Sequence, residues 1–273
     1  MPTGPLLLAL CAAFVHAGWN LLLSRARDSE QATATAAAVG AVVFAPVAAL
    51  TWNVGAKAIP WAAASAVLEL VYLMLLAHAY QEGELSLVYP VARGSAPLLV
   101  LLFTIAVLGE TPSAAAIIGI GLVAAGVILV RGWRATASPR HFRLALAIGV
   151  SIASYTLVDK QGLKHADPLP YLELVVAPPA LVYLWITKRR KGIAPLTPET
   201  VAAGLGIFGA YALALAAIKL ASTADVPAVQ AVRESSVVIA VVFARVVLRE
   251  RVTTARLAGA ATVVAGVAAI ALA

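Results

Sequence analysis

Residues 93–126 read RGSAPLLVLLFTIAVLGETPSAAAIIGIGLVAAG, and residues 233–266 read RESSVVIAVVFARVVLRERVTTARLAGAATVVAG. A shift of 140 residues lays Arg93 on Arg233, Ser95 on Ser235, Phe103 on Phe243, Glu110 on Glu250, Gly119 on Gly259 and Gly126 on Gly266. Extended to 84–130 against 224–270, the register gives twelve identities in 47 ungapped positions. Apolar matches are cheap in a chain this rich in Ala, Val and Leu. A matched Arg, Glu and two Gly are not. Nearer the N-terminus, Ala45-Pro46 resembles Ala177-Pro178 once a shorter loop is allowed. The chain reads as a duplication.

What is duplicated follows from composition. The 273 residues are 62% hydrophobic and 12% charged, with a mean hydropathy of +0.94. A soluble domain carries about 45–50% apolar and about 25% charged residues. Lipid must therefore cover most of this apolar surface, which excludes a disordered chain, a disulfide framework and a cytosolic enzyme. A bilayer span takes about 20 apolar residues. Runs of that kind fall at 5–23, 32–53, 61–80, 85–108, 112–131, 142–160, 169–187, 200–219, 223–248 and 252–273. The fold expected is an all-α integral membrane protein of ten transmembrane helices. Met1-Pro2-Thr3-Gly4 lacks the basic n-region of a signal peptide, so the first run reads as a retained helix. The single Cys11 can form no internal disulfide and is expected to be a buried, inert thiol.

Two five-helix repeats follow, 1–131 and 142–273, joined by a linker at 132–141. An odd number of spans per repeat makes the second enter the membrane from the opposite side. Inverted repeats of this sort go with alternating access.

The net charge of +7 sits in short stretches between apolar runs, with no basic face interleaved with aromatics. It points to membrane orientation, not to nucleic acid. Thirteen of the 20 Lys and Arg lie after runs one, five, seven and nine: Arg25, Arg27, Arg131, Arg134, Arg140, Arg143, Lys188, Arg189, Arg190, Lys191, Arg249, Arg251 and Arg256. Only Lys57, Lys160, Lys164 and Lys219 lie at the other face. By the positive-inside rule both termini are outside an inner membrane that the chain crosses many times.

Polar residues inside apolar runs are the functional candidates. Arg93 and Arg233 lie mid-run, where Arg costs about 2.5–3.5 kcal/mol on insertion scales. Each must meet a cavity or a partner: an anionic substrate group held by the guanidinium fork, or an ion pair with Glu234, Glu69 or Asp159. Pro90, Pro97 and Pro227 mark runs four and nine as the ones to be broken or kinked. His16, Trp19 and Asn20 share one helical face, and His16 could carry a proton. Glu69 and Tyr72 share another face, as do Tyr155 and Asp159. Asp159 and Lys160 read as an interfacial salt bridge. Tyr211 either stacks on a ligand or packs, and Tyr89, Gln230 and Glu234 complete the substrate-binding candidates. Glu110 and Glu250 sit in tight turns before the next run and read as helix caps. Gly204-Leu205-Gly206-Ile207-Phe208-Gly209 matches a dinucleotide motif but lies inside a span, where small residues serve close helix packing. No phosphate loop, zinc motif or paired Cys/His cluster occurs, so neither cofactor nor metal is expected.

The paired endings Leu108-Gly109-Glu110-Thr111 and Leu248-Arg249-Glu250-Arg251, each followed by Gly nine and sixteen residues past the Glu, resemble the ten-helix branch of the drug/metabolite transporter superfamily, with two EamA-type domains. His16-Ala17-Gly18-Trp19-Asn20 and Tyr89-Pro90-Val91-Ala92-Arg93-Gly94 are similar to a subgroup associated with phosphonate-utilisation genes. The resemblance implies export of amino acids or related metabolites, and termini inside, against the charge count. The expected function is secondary transport of a small polar or amphipathic metabolite through a central cavity, driven by proton exchange or downhill flow, by a monomer or homodimer. The alternatives are a membrane enzyme acting on a lipid-linked substrate and a non-transporting assembly subunit. An enzyme of that kind would use an acid-rich diphosphate motif, which the sequence lacks.

Overall fold

A computed structural model describes the chain apart from residues 25, 82–84, 132–138, 248, 250 and 251. The expected linker lies mostly among these, and so does Glu250. The described residues form α-helices α1 (Thr3–Leu23), α2 (Ser29–Leu50), α3 (Ile59–Gln81), α4 (Leu85–Ala106), α5 (Ala114–Arg131), α6 (Pro139–Gly162), α7 (Pro168–Lys191), α8 (Pro198–Leu220), α9 (Val226–Arg233), α10 (Ser236–Val246) and α11 (Thr254–Ala271), with a 3-10 turn at Ala56–Ala58. Among the described residues there is no strand, and Val54 and Ala166 make one isolated bridge. Among the described residues eight helical stretches are long and apolar enough to cross a membrane, with Val226–Val246 counted through its break. Val91–Ala106 and Ala114–Val130 are shorter apolar helices.

Local chemistry sets the helix starts. Asp28 accepts the Gln31 N–H at 3.0 Å ahead of α2, and Thr197 accepts the Thr200 N–H at 3.2 Å ahead of α8. Pro168, Pro198 and Pro227 occupy the first turns of α7, α8 and α9, where a missing N–H costs nothing. Ser113 accepts the Ala116 N–H at 3.1 Å, and Thr253 accepts that of Arg256 at 3.4 Å. These two, three residues beyond each Glu, are the caps of α5 and α11. Glu110 is exposed and caps nothing, which corrects the sequence expectation.

Run nine is broken, as the sequence led one to expect: α9 ends at Arg233 and α10 begins at Ser236. The break falls six residues past Pro227, which starts α9 and does not interrupt it, while α4 runs unbroken through Pro90 and Pro97. Cys11 is exposed on α1, not buried. It lies on a helix that also turns Leu7 and Phe14 outward, toward the surface that lipid covers.

Small residues let the helices approach. α1 packs on α8 and α6 on α3; α2 packs on α7 and α8, and α7 on α3; α4 packs on α6, α9 and α10 pack on α1, and α5 lies along α11. At the last contact a Cβ on Gly119 would stand 2.6 Å from the Gly266 oxygen, and one on Gly126 2.7 Å from the Gly259 oxygen. The residue numbers rise on one helix as they fall on the other, so α5 and α11 run antiparallel. Gly204 abuts the Ala36 carbonyl and Gly206 stands against Trp19, the packing use expected of that glycine run. The outer surface carries Val42, Leu50, Leu102, Trp185 and Leu257, a lipid-facing coat over a core dominated by Ala and Val. The Met1 amine donates to the Ile270 carbonyl at 3.4 Å, which brings both ends of the chain to one face.

Candidate functional site

The interior polar residues gather into two linked groups. In the first, Glu69 of α3, Asp159 of α6 and Tyr211 of α8 meet. The Tyr211 hydroxyl lies 2.5 Å from Glu69 Oε1 and 3.3 Å from Asp159 Oδ2. The Ser65 hydroxyl donates to Asp159 Oδ1 at 2.5 Å, and the Tyr171 hydroxyl lies 3.3 Å from the same oxygen. Glu69 is 7% and Asp159 1% exposed. Three tyrosine rings line up beside them: Tyr72 and Tyr155 centroids are 6.2 Å apart, and Tyr155 and Tyr211 are 6.4 Å apart. The i, i+3 and i, i+4 spacings of Glu69/Tyr72 and Tyr155/Asp159 put both pairs on site-facing sides of their helices.

The second group surrounds the break between α9 and α10. Arg93 of α4 pairs with Glu234 at 3.0 Å, with side chains 8% and 0% exposed. Gln230 donates to the same Glu234 oxygen at 3.4 Å and accepts from Arg233 at 3.0 Å. The Arg233 guanidinium carbon lies 5.8 Å from the Tyr211 ring centroid, joining the two groups. A buried Arg–Glu pair here is strongly coupled to the fold, because losing either partner strands a charge. Of the three partners open to Arg93 in the sequence, Glu234 is the one at ion-pair distance.

Other candidates stand apart. His16 and Trp19 meet edge to face at 4.8 Å, and the Asn20 amide donates back to the His16 carbonyl at 2.7 Å. Trp19 packs beside Leu23 and Ala203, at the α1–α8 contact. The side chain of Tyr89 lies outside the described residues. Asp159 and Lys160 do not form the expected salt bridge, because neighbours on a helix point about 100° apart. Asp159 turns inward, while Lys160 donates to Ile218 O at 3.0 Å, to Lys219 O at 3.4 Å and to Ala221 O, capping the carboxyl end of α8.

Sequence reasoning missed Ser65 and Tyr171, whose hydroxyls hold Asp159. Ser65 stands four residues before Glu69, on its face of α3, a signal that was available. Tyr171 in the first turn of α7 gave no such sign.

Residues 3–132 and 142–272 each match the EamA-like transporter family. The chain belongs to that family. As an EamA-like protein it is a multi-pass membrane protein of a transporter family in the drug/metabolite superfamily, which implies a lipid bilayer around it and a small molecule as its cargo. No curated protein matches the EamA-like chain. One solved structure, described only as the crystal structure of a protein, superposes with a TM-score of 0.82 at 18% identity, covering 100% of this chain and 99% of the other. That likeness concerns the fold.

Proposed function

We propose that this protein is a secondary transporter that exports a small zwitterionic metabolite such as an amino acid by alternating access across an inner membrane. One observation carries the reading: the charged and aromatic cluster is drawn from both halves of the chain. Glu69, Tyr72 and Arg93 come from the first, and Tyr155, Tyr211, Arg233 and Glu234 from the second. Substrate sites of repeat-built transporters lie at such a junction. Arg233 offers a guanidinium for a carboxylate, Glu69 and Asp159 offer acceptors for an ammonium, and the tyrosines offer faces for an apolar side chain. His16, Trp19, Asn20, Tyr89 and Gln230 are assigned to the walls or approaches of the same path.

The repeats are taken as 1–131 and 142–273, inverted about an axis in the membrane plane. The helix pairing supports this. α1 on α8 is matched by α6 on α3, α2 on α8 by α7 on α3, and α4 on α6 by α9 and α10 on α1. The glycine contact supports it further, since Gly119 meets Gly266 while Gly126 meets Gly259. Such an exchange of partners marks a two-fold axis. Repeats related by an axis along the membrane normal would set Gly119 against Gly259.

The test is efflux from proteoliposomes loaded with radiolabelled amino acids. Efflux of chemically unchanged substrate above that of protein-free vesicles is expected. Its absence from folded, reconstituted protein overturns the reading, and a covalently altered product supports a membrane enzyme.

A further inference from the structure

Charge and hydrogen counts at the first group do not balance. Arg93 and Glu234 neutralise each other at 3.0 Å. Lys160 is turned away to the carboxyl end of α8. What remains is Glu69 and Asp159 against Arg233, the charged neighbour that acts on both. With both carboxyls ionised the site carries one uncompensated negative charge in a low-dielectric interior, which is strongly disfavoured. Among the described residues no Lys, Arg or His nitrogen lies within 4.0 Å of either carboxylate.

Hydrogens are short by one as well. Tyr211 has a single hydroxyl hydrogen, yet its oxygen is close to Glu69 Oε1 and to Asp159 Oδ2. If the hydrogen goes to Glu69, the Asp159 contact sets two oxygens together with nothing between them. A separate observation marks the place as one that receives a polar occupant. Tyr155 is 5% exposed and flanked by the Tyr72 and Tyr211 rings, and its hydroxyl makes no hydrogen bond among the described residues.

We propose that Glu69 and Asp159 hold one exchangeable proton between them, shared through the Tyr211 hydroxyl across the junction of the two halves. With the proton on Asp159 Oδ2, Asp159 donates to Tyr211 Oη and Tyr211 donates to Glu69. Transfer moves the Asp159 proton to Oη while the Tyr211 proton passes to Glu69 Oε1, leaving Asp159 ionised, Tyr211 neutral and Glu69 protonated. The relay has a direction. Ser65, which bonds Asp159, precedes Glu69 by one turn of α3, about 6 Å along the axis. Asp159 therefore lies nearer the face that holds the chain ends. The groups facing the relay are Tyr72 and Ser65 of α3, Tyr155 of α6, Tyr171 of α7, Arg233 of α9 and, beyond it, Arg93 of α4 with Glu234. As a bound proton the inference stands by itself. As the coupling ion it rests on the transport reading above.

Infrared difference spectra of the purified full-length chain test it, read at the carbonyl stretch of a protonated carboxyl group at neutral pH. A Glu173→Gln background removes the carboxyl of α7, whose Oε1 is buried and makes no hydrogen bond among the described residues. Glu69→Gln and Asp159→Asn should each abolish the same band, and the double variant should remove nothing more, because one proton serves both. Loss in only one variant overturns the sharing, and retention in both overturns the site. Should either variant fail to elute as folded protein, Tyr211→Phe decides. The band should shift once the hydroxyl link is gone, and an unmoved band overturns the proposal. The spectrum needs no transport, so a band that behaves as expected beside absent efflux would sink the transport reading alone.

Discussion

Arg93 and Glu234 form a buried ion pair in which each charge depends on the other. Glu234 is fully buried, and Arg93 reaches it from another helix at 3.0 Å. Removing one partner of such a pair costs about 3–5 kcal/mol, because the other charge is left in the interior. Arg93→Ala should therefore lower the unfolding midpoint in detergent markedly, and Arg93→Ala with Glu234→Ala should recover most of the loss. If the double variant is no more stable than the single one, Glu234 is not what Arg93 holds. A smaller effect sits in the last loop. Gly109 and Arg249 occupy matched positions of the duplication, and both adopt left-handed backbone, with φ of 67° and 55°. Glycine takes that conformation freely, whereas an L side chain pays roughly 1–2 kcal/mol. Arg249→Gly should stabilise the protein by about 1 kcal/mol in the same melt, and Gly109→Arg should do the reverse. The matched turn was visible in the sequence as Leu-Gly-Glu over Leu-Arg-Glu. The identity of Arg93's partner was not, since Glu69, Asp159 and Glu234 are all acidic groups at plausible depth and only packing chooses among them.

At the level of elements, the contacts that hold the helices together divide into close backbone packing and ties between loops. α5 and α11 depend on the first kind. A methyl on Gly119 would stand 2.6 Å from a backbone oxygen that cannot move aside, whereas nothing lies within 4 Å of one on Gly121. Gly119→Ala should lose about 1–3 kcal/mol by overpacking, and Gly121→Ala should be tolerated. Equal melting curves for the two would show that the helices can slide apart. α2 and α7 show the second kind. At one end Asp28 caps α2 and pairs with Lys191 at 2.9 Å, while Glu30 pairs with Lys191 at 2.5 Å. At the other end Asp167, preceding α7, accepts from Asn53 at 2.8 Å and from Lys219 at 2.5 Å. The Gln31 N–H and then Lys191 hold the Asp28 carboxyl below its usual range, so its stabilisation is present above about pH 3.9 and is lost as pH falls through the lower folded value. Acid below about pH 4 should loosen this end, and Asp28→Ala should cost about 1 kcal/mol as a lost cap at neutral pH while flattening the acid limb of the melt. An unchanged acid limb would remove Asp28 from the account. The eight long apolar stretches among the described residues were legible because lipid imposes length and hydropathy on a span. That run nine would be disrupted was legible from Pro227, but the place of the break, at Glu234–Ser235, was not, because no proline or glycine stands there. Lys160 shows the same limit. Its neighbour Asp159 shares its sequence position but not its direction, and only the end of α8 explains where it goes.

Over the whole molecule, the question the fold leaves for experiment is which face meets the cytoplasm. The Met1 amine reaches the Ile270 carbonyl, so the two ends share a face and one reporter speaks for both. Four lysines lie toward that face, and Lys160 and Lys219 are already engaged, the one with carbonyls of α8 and the other with Asp167. The opposite face has thirteen Lys and Arg in the sequence, among them Arg189 stacked 5.0 Å over the Trp185 ring, as an interfacial anchor would be. The positive-inside bias counts short loops near span ends, and every loop here is short. The charges therefore favour termini outside, against the arrangement the family resemblance implies. Fusing a reporter active only in the periplasm after Ala273 should give signal, and one active only in the cytoplasm should give none. A cytoplasmic signal would mean that insertion of the first repeat sets the orientation in spite of the thirteen charges. In that case, moving charges should decide the matter. Neutralising Lys188, Arg189, Arg190 and Lys191 together should leave a cytoplasmic C-terminus where it is, whereas it should weaken a periplasmic one, because those four residues supply nearly a third of the charge that holds it there.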